Sequence, residues 1–488
     1  MALAVSAGPD ERLSAATFGI LARGKVPALN RVPAGISREA MNGVNAVEAG
    51  YGAANVGAVL DVPFALLYVA VLFLLSPILA AIAAVFLAAV FVISSVGLGT
   101  LRRPTRELTA AAGAGGGIIG TAVDHADTVR AFNAAGFLTQ AWLEQGRRIQ
   151  ALRRRITRRQ GFVQTLGQSA AALMNAAIVA IGATLVVKGE LTVGVMIGAN
   201  ILASRALSPL LRFAQLGEIF AKARQAADLM REFSKIPLEA ASGSAKSHYK
   251  GGLELRDLAF AFPGASGPLF ESLSLTLAPG AVLSVTGGNG SGKTTLARLL
   301  AGILEPTRGQ ILVDGLDLRQ GVPEWWRRQI IYLPQEPAFL NATVEENLHV
   351  NAADIGMERL NQLVDAVGLR RFLDESPRGF DEPVVSNGAT LSVGTRRRLA
   401  LARALATGGR LVLFDEPTEG MDAEGCAMIG RIVAELSRDG HTIVVISHDP
   451  AVVKGADAVL DLNVKPVPRI AKVPRAAERP ERSAEAVA

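Results

Sequence analysis

A glycine-rich segment with a lysine and two threonines lies between an apolar run and a helix-like run. The segment reads Gly287, Gly288, Asn289, Gly290, Ser291, Gly292, Lys293, Thr294, Thr295, and it follows the apolar residues 281–286. Glycines let successive backbone N–H groups curl around phosphate oxygens, and the helix N-terminus adds partial positive charge. Lys293 would reach the β- and γ-phosphates of a nucleotide, and the Thr294 hydroxyl would bind Mg²⁺. The pattern predicts a phosphate-binding loop.

Two later apolar runs end in residues suited to nucleotide hydrolysis. Residues 410–414 lead into Asp415 and Glu416, and residues 442–447 lead into His448. Asp415 is placed to hold Mg²⁺ through water, and Glu416 to polarise the attacking water as a general base. The His448 imidazole could contact the γ-phosphate and sense its loss. Each run is unspecific alone, and the order of the three motifs along the chain favours a catalytic site.

The elements that must position these residues form an α/β pattern. Residues 251–464 alternate strand-like and amphipathic helix-like segments, which predicts an α/β phosphate-loop domain. The polar residues 241–247 mark its start. Residues 465–488 are rich in Pro, Arg, Ala and Glu, and we expect a disordered tail there.

The first half of the chain has the composition of a membrane protein. Half of all residues are hydrophobic, and the mean hydropathy is +0.32. The uncharged run 62–101 is too long for one membrane helix, and Ser76-Pro77 suits a break. Further uncharged runs follow at 161–187 and 191–204. We predict a transmembrane domain over 59–240 with four spans, at 62–79, 80–100, 161–187 and 191–208, preceded by a cytosolic lead-in over 1–58.

The arginines between the second and third spans indicate which side faces the cytoplasm. Residues 102–159 are rich in Arg, and cytoplasmic segments of membrane proteins are enriched in Lys and Arg. Helical apolar spacing predicts long helices that project from the membrane and turn back. We interpret the run Arg153 to Arg155 as a solvated face near lipid headgroups and not as a nucleic-acid site.

Cysteine and histidine usage excludes other classes of site. Cys426 is the only cysteine, so there is no internal disulfide framework and no cysteine-rich zinc site. The five histidines show no metal-ligand spacing.

These motifs together resemble the ATP-binding-cassette (ABC) transporters in which a membrane domain and an ATPase domain share one polypeptide. The resemblance implies that Phe262 stacks on adenine, that Gln335 links Mg²⁺ and water to the membrane domain, and that Asp422 lies in a loop crossing to a second subunit. The family signature, usually Leu-Ser-Gly-Gly-Gln, stands here as residues 391–395. Ser392 and Gly394 are kept, so contact with a γ-phosphate across the dimer is implied, whereas Val393 and Thr395 depart from the pattern.

The resemblance also implies an assembly and a cargo. Two cassettes pack head to tail around ATP and Mg²⁺, so this chain is expected to form a homodimer or a heterodimer. The hydrophobic segments 61–77 and 197–209 are similar to type I secretion exporters of the inner membrane, which work with a periplasmic adaptor and an outer-membrane channel. Family members normally have six spans, and we count four. Two alternatives stay open: an exporter of lipid, peptide or small molecule, and a shortened subunit that regulates or completes a heterodimer.

Overall fold

The computed structural model describes residues 2–246, 248–447 and 455–472, and the chain divides into two compact units, Met1–Leu238 and Glu239–Ala488. The first unit is helical and the second combines helices with strands. This division agrees with the predicted fold class, a helical membrane domain followed by an α/β domain.

Two very long helices dominate the first unit. Its helices are α1 (Ala2–Arg23), α2 (Val26–Leu29), α3 (Ala34–Tyr51), α4 (Ala53–Leu60), α5 (Phe64–Leu75), α6 (Pro77–Asp124), α7 (Ala126–Ala131), α8 (Ala135–Val187), α9 (Val193–Gln215) and α10 (Gly217–Phe233). α6 has 48 residues and α8 has 53. At 1.5 Å per residue they are about 72 and about 80 Å long, against a hydrocarbon core of about 30 Å. Both helices must therefore project from a membrane, as the arginine-rich segment predicts.

The described part of the chain has four helices long and apolar enough to cross a membrane. They run over Asn55–Leu75, Pro77–Asp124, Ala135–Val187 and Val193–Phe213. Their number agrees with the four predicted spans, although the first begins earlier and the others extend further. The first two meet at Ser76, which has extended φ and ψ and caps α6 through a hydrogen bond from the Leu79 N–H.

α6 and α8 pack antiparallel along most of their length. Arg159 Nη1 donates to the Thr100 carbonyl at 2.6 Å, and Gln145 Nε2 donates to the Ala111 carbonyl at 2.6 Å. Around the spans, apolar side chains of α5, α6, α8 and α9 form one buried cluster that includes Leu72, Leu79 and Met174. Many side chains on the outer face of α5 are apolar and exposed, which suits contact with lipid.

The predicted separate lead-in over 1–58 is not separate in the structure. α3 packs along α10, and small residues permit this close approach. A Cβ added to Gly50 would lie 2.3 Å from Ala223 Cβ, and one added to Gly43 would lie 3.2 Å from Ala226 Cβ. Residues before the first apolar run are thus part of the helical unit, because its far end, α10, supplies the surface on which they pack.

The second unit has two main sheets with helices packed around them. Its strands are β1 (Leu253–Phe260), β2 (Phe270–Leu277), β3 (Val282–Thr286), β4 (Arg308–Val313), β5 (Leu316–Asp317), β6 (Ile330–Leu333), β7 (Ala342–Thr343), β8 (Pro383–Val384), β9 (Leu411–Asp415), β10 (Thr442–Ile446), β11 (Ala458–Asp461) and β12 (Arg469–Lys472). Its helices are α11 (Lys293–Leu300), α12 (Pro323–Arg327), α13 (Val344–His349), α14 (Met357–Ala366), α15 (Arg370–Glu375), α16 (Val393–Ala406) and α17 (Ala423–Arg438), with 3-10 turns at Leu318–Gln320, Gly379–Asp381 and Ser386–Gly388.

The six-stranded sheet carries the predicted catalytic motifs. Its order is β12-β11-β3-β10-β9-β6, and all neighbours pair in parallel except β12. Every residue of β9 and β10 is buried, which explains why these segments are continuous apolar runs without alternation. A second sheet, antiparallel in the order β2-β1-β4-β5, was not distinguished from the α/β pattern in the sequence.

The predicted disorder from residue 465 is wrong for the first part of that segment. β12 pairs antiparallel with β11, with Ile470 opposite Leu460. Backbone pairing with the sheet edge stabilises this short strand although its composition is polar. Residues 473–488 lie outside the described residues.

Candidate nucleotide site

The phosphate loop connects β3 to α11 at the carboxyl edge of the parallel sheet. Gly292 caps α11 with a left-handed backbone, φ 107°, and a Cβ there would lie 2.7 Å from Leu269 Cδ2. Only glycine fits both constraints. The loop borders a cleft of about 560 Å³ lined by Phe262, Leu269, residues 288–295, Gln335, Glu416 and Glu419. The structure thus brings the predicted loop, glutamine and glutamate together.

Lys293 is held inside this cleft. Its Nζ donates to the Gly287 carbonyl at 2.6 Å and lies 3.2 Å from Glu416 Oε1. The Lys293 and Glu416 side chains are only 10% and 12% exposed. The Lys293 ammonium therefore neutralises the predicted general base, and phosphate oxygens would compete with Glu416 for it.

Three oxygen-bearing side chains meet where Mg²⁺ is predicted. Thr294 Oγ1 donates to Gln335 Oε1 at 3.3 Å. Asp415 is wholly buried, and among the described residues its two carboxylate oxygens make no hydrogen bond of ordinary geometry. Mg²⁺ prefers oxygen ligands, and a buried carboxylate without hydrogen bonds is costly unless a cation or donor compensates it. Thr294, Gln335 and Asp415 therefore fit the predicted ion. No group of three or more His, Cys, Asp or Glu residues that could hold a metal occurs in the described ranges.

The electrostatics of Asp415 point the same way. Burial raises the pKa of Asp415 above its ordinary value, more than the nearby Thr294 hydroxyl and the Lys293 charge lower it. The raised pKa means that the folded domain disfavours the carboxylate without a counter-charge. A divalent cation would supply that charge.

Glu416 has a strained backbone that two hydrogen bonds hold in place. Its φ is 49°, in the left-handed region. Its N–H donates to the Ile446 carbonyl at 2.9 Å, and its carbonyl accepts from Arg397 Nη1 at 3.1 Å. The neighbouring strand and α16 thereby fix the peptide that orients this carboxylate.

Arg397 and Glu419 extend this arrangement and were not assigned a role from the sequence. Arg397 Nη2 donates to Glu419 Oε2 at 3.3 Å, and Gln335 Nε2 donates to the same oxygen at 3.2 Å. A chain of contacts thus runs from α16 through Glu419 and Gln335 to Thr294. Glu419 follows Glu416 by three residues on the same turn. This spacing was the sequence feature that could have indicated that Glu419 lies near the site. The sequence has three consecutive arginines, Arg396 to Arg398, and nothing in it indicates that Arg397 is the one that contacts Glu416 and Glu419.

The signature residues lie in a different cleft of the same unit. Ser392 and Gly394 line a cleft of about 390 Å³ together with Thr395, Arg398 and Asp422. Ser392 caps α16, where its Oγ accepts from the Thr395 N–H at 3.1 Å and lies 2.9 Å from Thr395 Oγ1. Thr395, one of the two departures from the family pattern, thus contacts the signature serine directly. The structure does not bring Ser392 and Gly394 to the phosphate loop of their own unit.

The two remaining site residues predicted from the sequence are Phe262 and His448. Phe262 is half exposed at the edge of the nucleotide cleft, and its ring meets Phe260 edge-on with centroids 5.0 Å apart. One face of its ring is therefore available for a base. His448 lies outside the described residues, next to the buried Ser447 at the end of β10.

Comparison with known families matches both halves of the chain. Residues 12–210 match the family model of the ABC transporter transmembrane region, and residues 270–419 match the ABC transporter family model. The first match begins well before residue 58, in agreement with the packing of α3 on α10.

Curated relatives include three bacterial toxin transporters. The chain is 29% identical over 412 residues to the leukotoxin translocation ATP-binding protein LktB of Mannheimia haemolytica, covering 82% of this chain and 57% of LktB. It is 31% identical over 307 residues to the alpha-hemolysin translocation ATP-binding protein HlyB of Escherichia coli O157:H7, covering 62% and 43%. It is 30% identical over 339 residues to the leukotoxin export protein LtxB of Aggregatibacter actinomycetemcomitans, covering 68% and 47%. The chain spans about half the length of these relatives.

A solved structure shows the same fold. A bacterial Atm1-family ABC exporter with ATP bound superposes with a TM-score of 0.83 at 19% identity, covering 94% of this chain and 81% of that one. The fold of this solved structure, the two family matches and the geometry of the nucleotide cleft all indicate the same family. The chain belongs to the ABC transporters in which a transmembrane region and an ATPase domain share one polypeptide.

Proposed function

We propose that this protein hydrolyses ATP and uses the energy to export a substrate across a membrane. The observation that carries the proposal is the meeting of Lys293, Thr294, Gln335 and Glu416 in one cleft, with the buried Asp415 next to Thr294. The described part of the same chain has four helices long and apolar enough to cross a membrane. A nucleotide enzyme and membrane helices in one polypeptide are the two components that active transport requires.

The residues of the cleft act in a definite order in this proposal. Phosphate oxygens draw Lys293 away from Glu416, and the freed carboxylate then accepts a proton from the attacking water. Thr294, Gln335 and Asp415 hold Mg²⁺, which when bound neutralises charge on the β- and γ-phosphates. Phe262 stacks on adenine, and the backbone N–H groups of residues 288–293 surround the phosphates. His448 contacts the γ-phosphate.

Two cassettes are needed for a complete site. Because Ser392 and Gly394 lie in a cleft separate from the phosphate loop, a second subunit supplies these residues to the ATP bound here. Asp422 lies beside the same signature residues, as expected for a loop that crosses between subunits. ATP closes the pair, hydrolysis opens it, and Gln335 passes the change toward the membrane helices. The partner is a second copy or a related subunit.

The names of the relatives favour a protein cargo. LktB, HlyB and LtxB are named for translocation or export of toxins. We therefore place this chain in the inner membrane, with the ATPase domain cytoplasmic and with a periplasmic adaptor and an outer-membrane channel as partners. A lipid, peptide or small-molecule cargo would be transported by the same ATPase domain and membrane helices.

ATP turnover by the purified full chain in lipid nanodiscs tests the enzymatic part. Glu416→Gln should abolish Mg²⁺-dependent hydrolysis while ATP still binds, because only the general base is removed. Glu424→Gln, in the first turn of α17, serves as a control that should keep normal turnover. An inactive wild-type protein would reject hydrolysis by a homodimer.

Affinity capture from the native membrane, followed by mass spectrometry, tests the cargo. Recovery of an adaptor protein with the wild-type chain would support type I secretion. Capture of the second subunit without any adaptor would count against it.

A further inference from the structure

Thr395 departs from the family signature and lies beside the signature serine. Ser392 is the N-cap of α16, and its Oγ accepts from the Thr395 N–H at 3.1 Å. The two hydroxyl oxygens lie 2.9 Å apart, within hydrogen-bond distance. Both residues line the cleft of about 390 Å³ that also contains Gly394. The residue at this position therefore contacts the hydroxyl of the serine that is proposed to reach ATP in the partner subunit.

A glutamine, the usual residue at this position, would act on a different group of Ser392. When Ser or Thr at an N-cap is followed three residues later by Glu or Gln, the longer side chain accepts from the N-cap backbone N–H. α13 shows this arrangement, because Glu346 Oε2 accepts from the Thr343 N–H at 2.8 Å. The shorter Thr395 side chain contacts the hydroxyl of its N-cap residue instead.

The single hydroxyl hydrogen of Ser392 can be used in one of two ways. A serine Oγ has one hydrogen and two lone pairs, and the Thr395 N–H occupies one lone pair. If Thr395 Oγ1 donates, it fills the second lone pair and leaves the Ser392 hydrogen for an outside acceptor. If Ser392 donates to Thr395 Oγ1, that hydrogen is used within the cap. An ionised phosphate oxygen can only accept, so a bond from Ser392 to phosphate requires the first arrangement.

The first turn of α16 is anchored on the side away from the exposed Ser392. Arg398 Nη1 donates to the Gly368 carbonyl at 3.2 Å, and its Nη2 lies 3.6 Å from Asp422 Oδ1. Thr395 is half-buried, whereas Ser392 is exposed. These contacts keep the Thr395 hydroxyl within reach of Ser392 and leave the serine accessible to a phosphate.

We propose that Thr395 is a positioning residue whose hydroxyl donates to Ser392 Oγ, so that the Ser392 hydroxyl donates to the γ-phosphate of ATP bound by the partner subunit. The proposal rests on the proposed function and adds to it a residue that helps to distinguish ATP from ADP. Consecutive hydrogen bonds polarise one another, so the bond from Thr395 strengthens the bond from Ser392 to the phosphate. ADP has no γ-phosphate, and its binding does not use these two hydroxyls.

Nucleotide binding without turnover tests this role. The full chain with Glu416→Gln, in lipid nanodiscs with Mg²⁺, is titrated with ATP and with ADP. Thr395→Val keeps a β-branched side chain of similar size and removes the hydroxyl. Loss of one hydrogen bond weakens binding about 2- to 12-fold. ATP affinity should fall by this factor in Thr395→Val, and ADP affinity should stay unchanged.

Rescue and a double-variant cycle separate positioning from a merely structural role. Thr395→Ser restores a hydroxyl and should restore ATP affinity. In a chain with Ser392→Ala, Thr395→Val should cause no further loss of ATP affinity, because the group on which Thr395 acts is already absent. Thr390→Val removes an exposed hydroxyl nearby that does not line this cleft, and it should leave both affinities unchanged.

Four results would overturn the proposal. Equal losses for ATP and ADP in Thr395→Val would assign this residue a general role in the stability of α16. An unchanged ATP affinity would show that its hydroxyl does not act on phosphate binding, and a higher ATP affinity would show that it withholds the Ser392 hydrogen. A full further loss in the Ser392→Ala chain would show that it acts elsewhere. The titrations need neither hydrolysis nor cargo, so a chain that binds as expected but fails to hydrolyse ATP would overturn the proposed function alone.

Discussion

Replacing Arg397 by glutamine should slow ATP hydrolysis with little change in ATP binding. Arg397 does not line the nucleotide cleft, but its Nη1 donates to the carbonyl of Glu416 and its Nη2 to Glu419. The first bond helps to hold a left-handed peptide at Glu416, a conformation that costs on the order of 1–3 kcal/mol. Arg397→Gln removes this support from Glu416, the proposed general base.

The two contacts of Arg397 differ in strength because they differ in exposure. The Arg397 side chain is 12% exposed, and that of Glu419 is 54% exposed. Solvent screening limits the ion pair with Glu419 to about 0–1 kcal/mol. The charge-assisted bond to the Glu416 carbonyl is worth about 1.5–3 kcal/mol. If about 1.5–2 kcal/mol of it acts on the reaction barrier, kcat falls roughly 10- to 30-fold.

Steady-state ATPase assays on the purified full chain measure this effect. Arg396→Gln is the matched control, since it removes the adjacent arginine of α16, and it should retain normal kcat. Glu419→Gln should reduce kcat by only a few-fold, and in the double variant the two effects should be less than additive. A raised KM with normal kcat in Arg397→Gln would refute the positioning role, because that pattern signals loss of ground-state binding.

Three further predictions concern the metal, the helical unit and the base. Asp415→Asn should raise the melting temperature in Mg²⁺-free buffer, because the folded domain disfavours a buried carboxylate; stabilisation of wild type by Mg²⁺ should be lost in the variant, and an equal response of both would contradict Mg²⁺ binding there. Gly50→Ala should destabilise the protein by about 1–3 kcal/mol through its clash with Ala223, with Gly57→Ala as an unhindered control; Ala223→Gly should partly restore stability, and a neutral Gly50→Ala would argue against this packing. Phe262→Ala should raise the KM for ATP about 5- to 100-fold by loss of stacking, while Phe262→Tyr stays near wild type; an unchanged KM for GTP and ATP in the alanine variant would rule out a base-stacking role.

Local patterns in the sequence predicted a glycine-rich loop between a strand and a helix, and also the long helices, for clear physical reasons. Gly292 needs a left-handed backbone and a close approach to Leu269, which no other residue satisfies. Uncharged runs around Pro77 and in α8 must avoid water. Signals of this kind depend on residues near one another in the chain, so they can be recognised before the fold is known.

Features that depend on distant residues could not be predicted in this way. The place of residues 34–51 depends on Ala223 and Ala226, which lie far along the chain. The polar segment at 469–472 is ordered because β11 offers an edge with which its backbone can pair. The sequence of a segment does not indicate which distant helix surface or sheet edge it will pack against.

The sequence by itself was enough to predict the chemistry proposed for this protein: a loop for phosphates, oxygen ligands for Mg²⁺, a general base and apolar helices. Tertiary structure alone decided which arginine supports Glu416, and that Ser392 belongs to a different cleft from Lys293. The physical reason is that residue type fixes what a side chain can do, whereas its partners depend on packing between elements far apart in the chain.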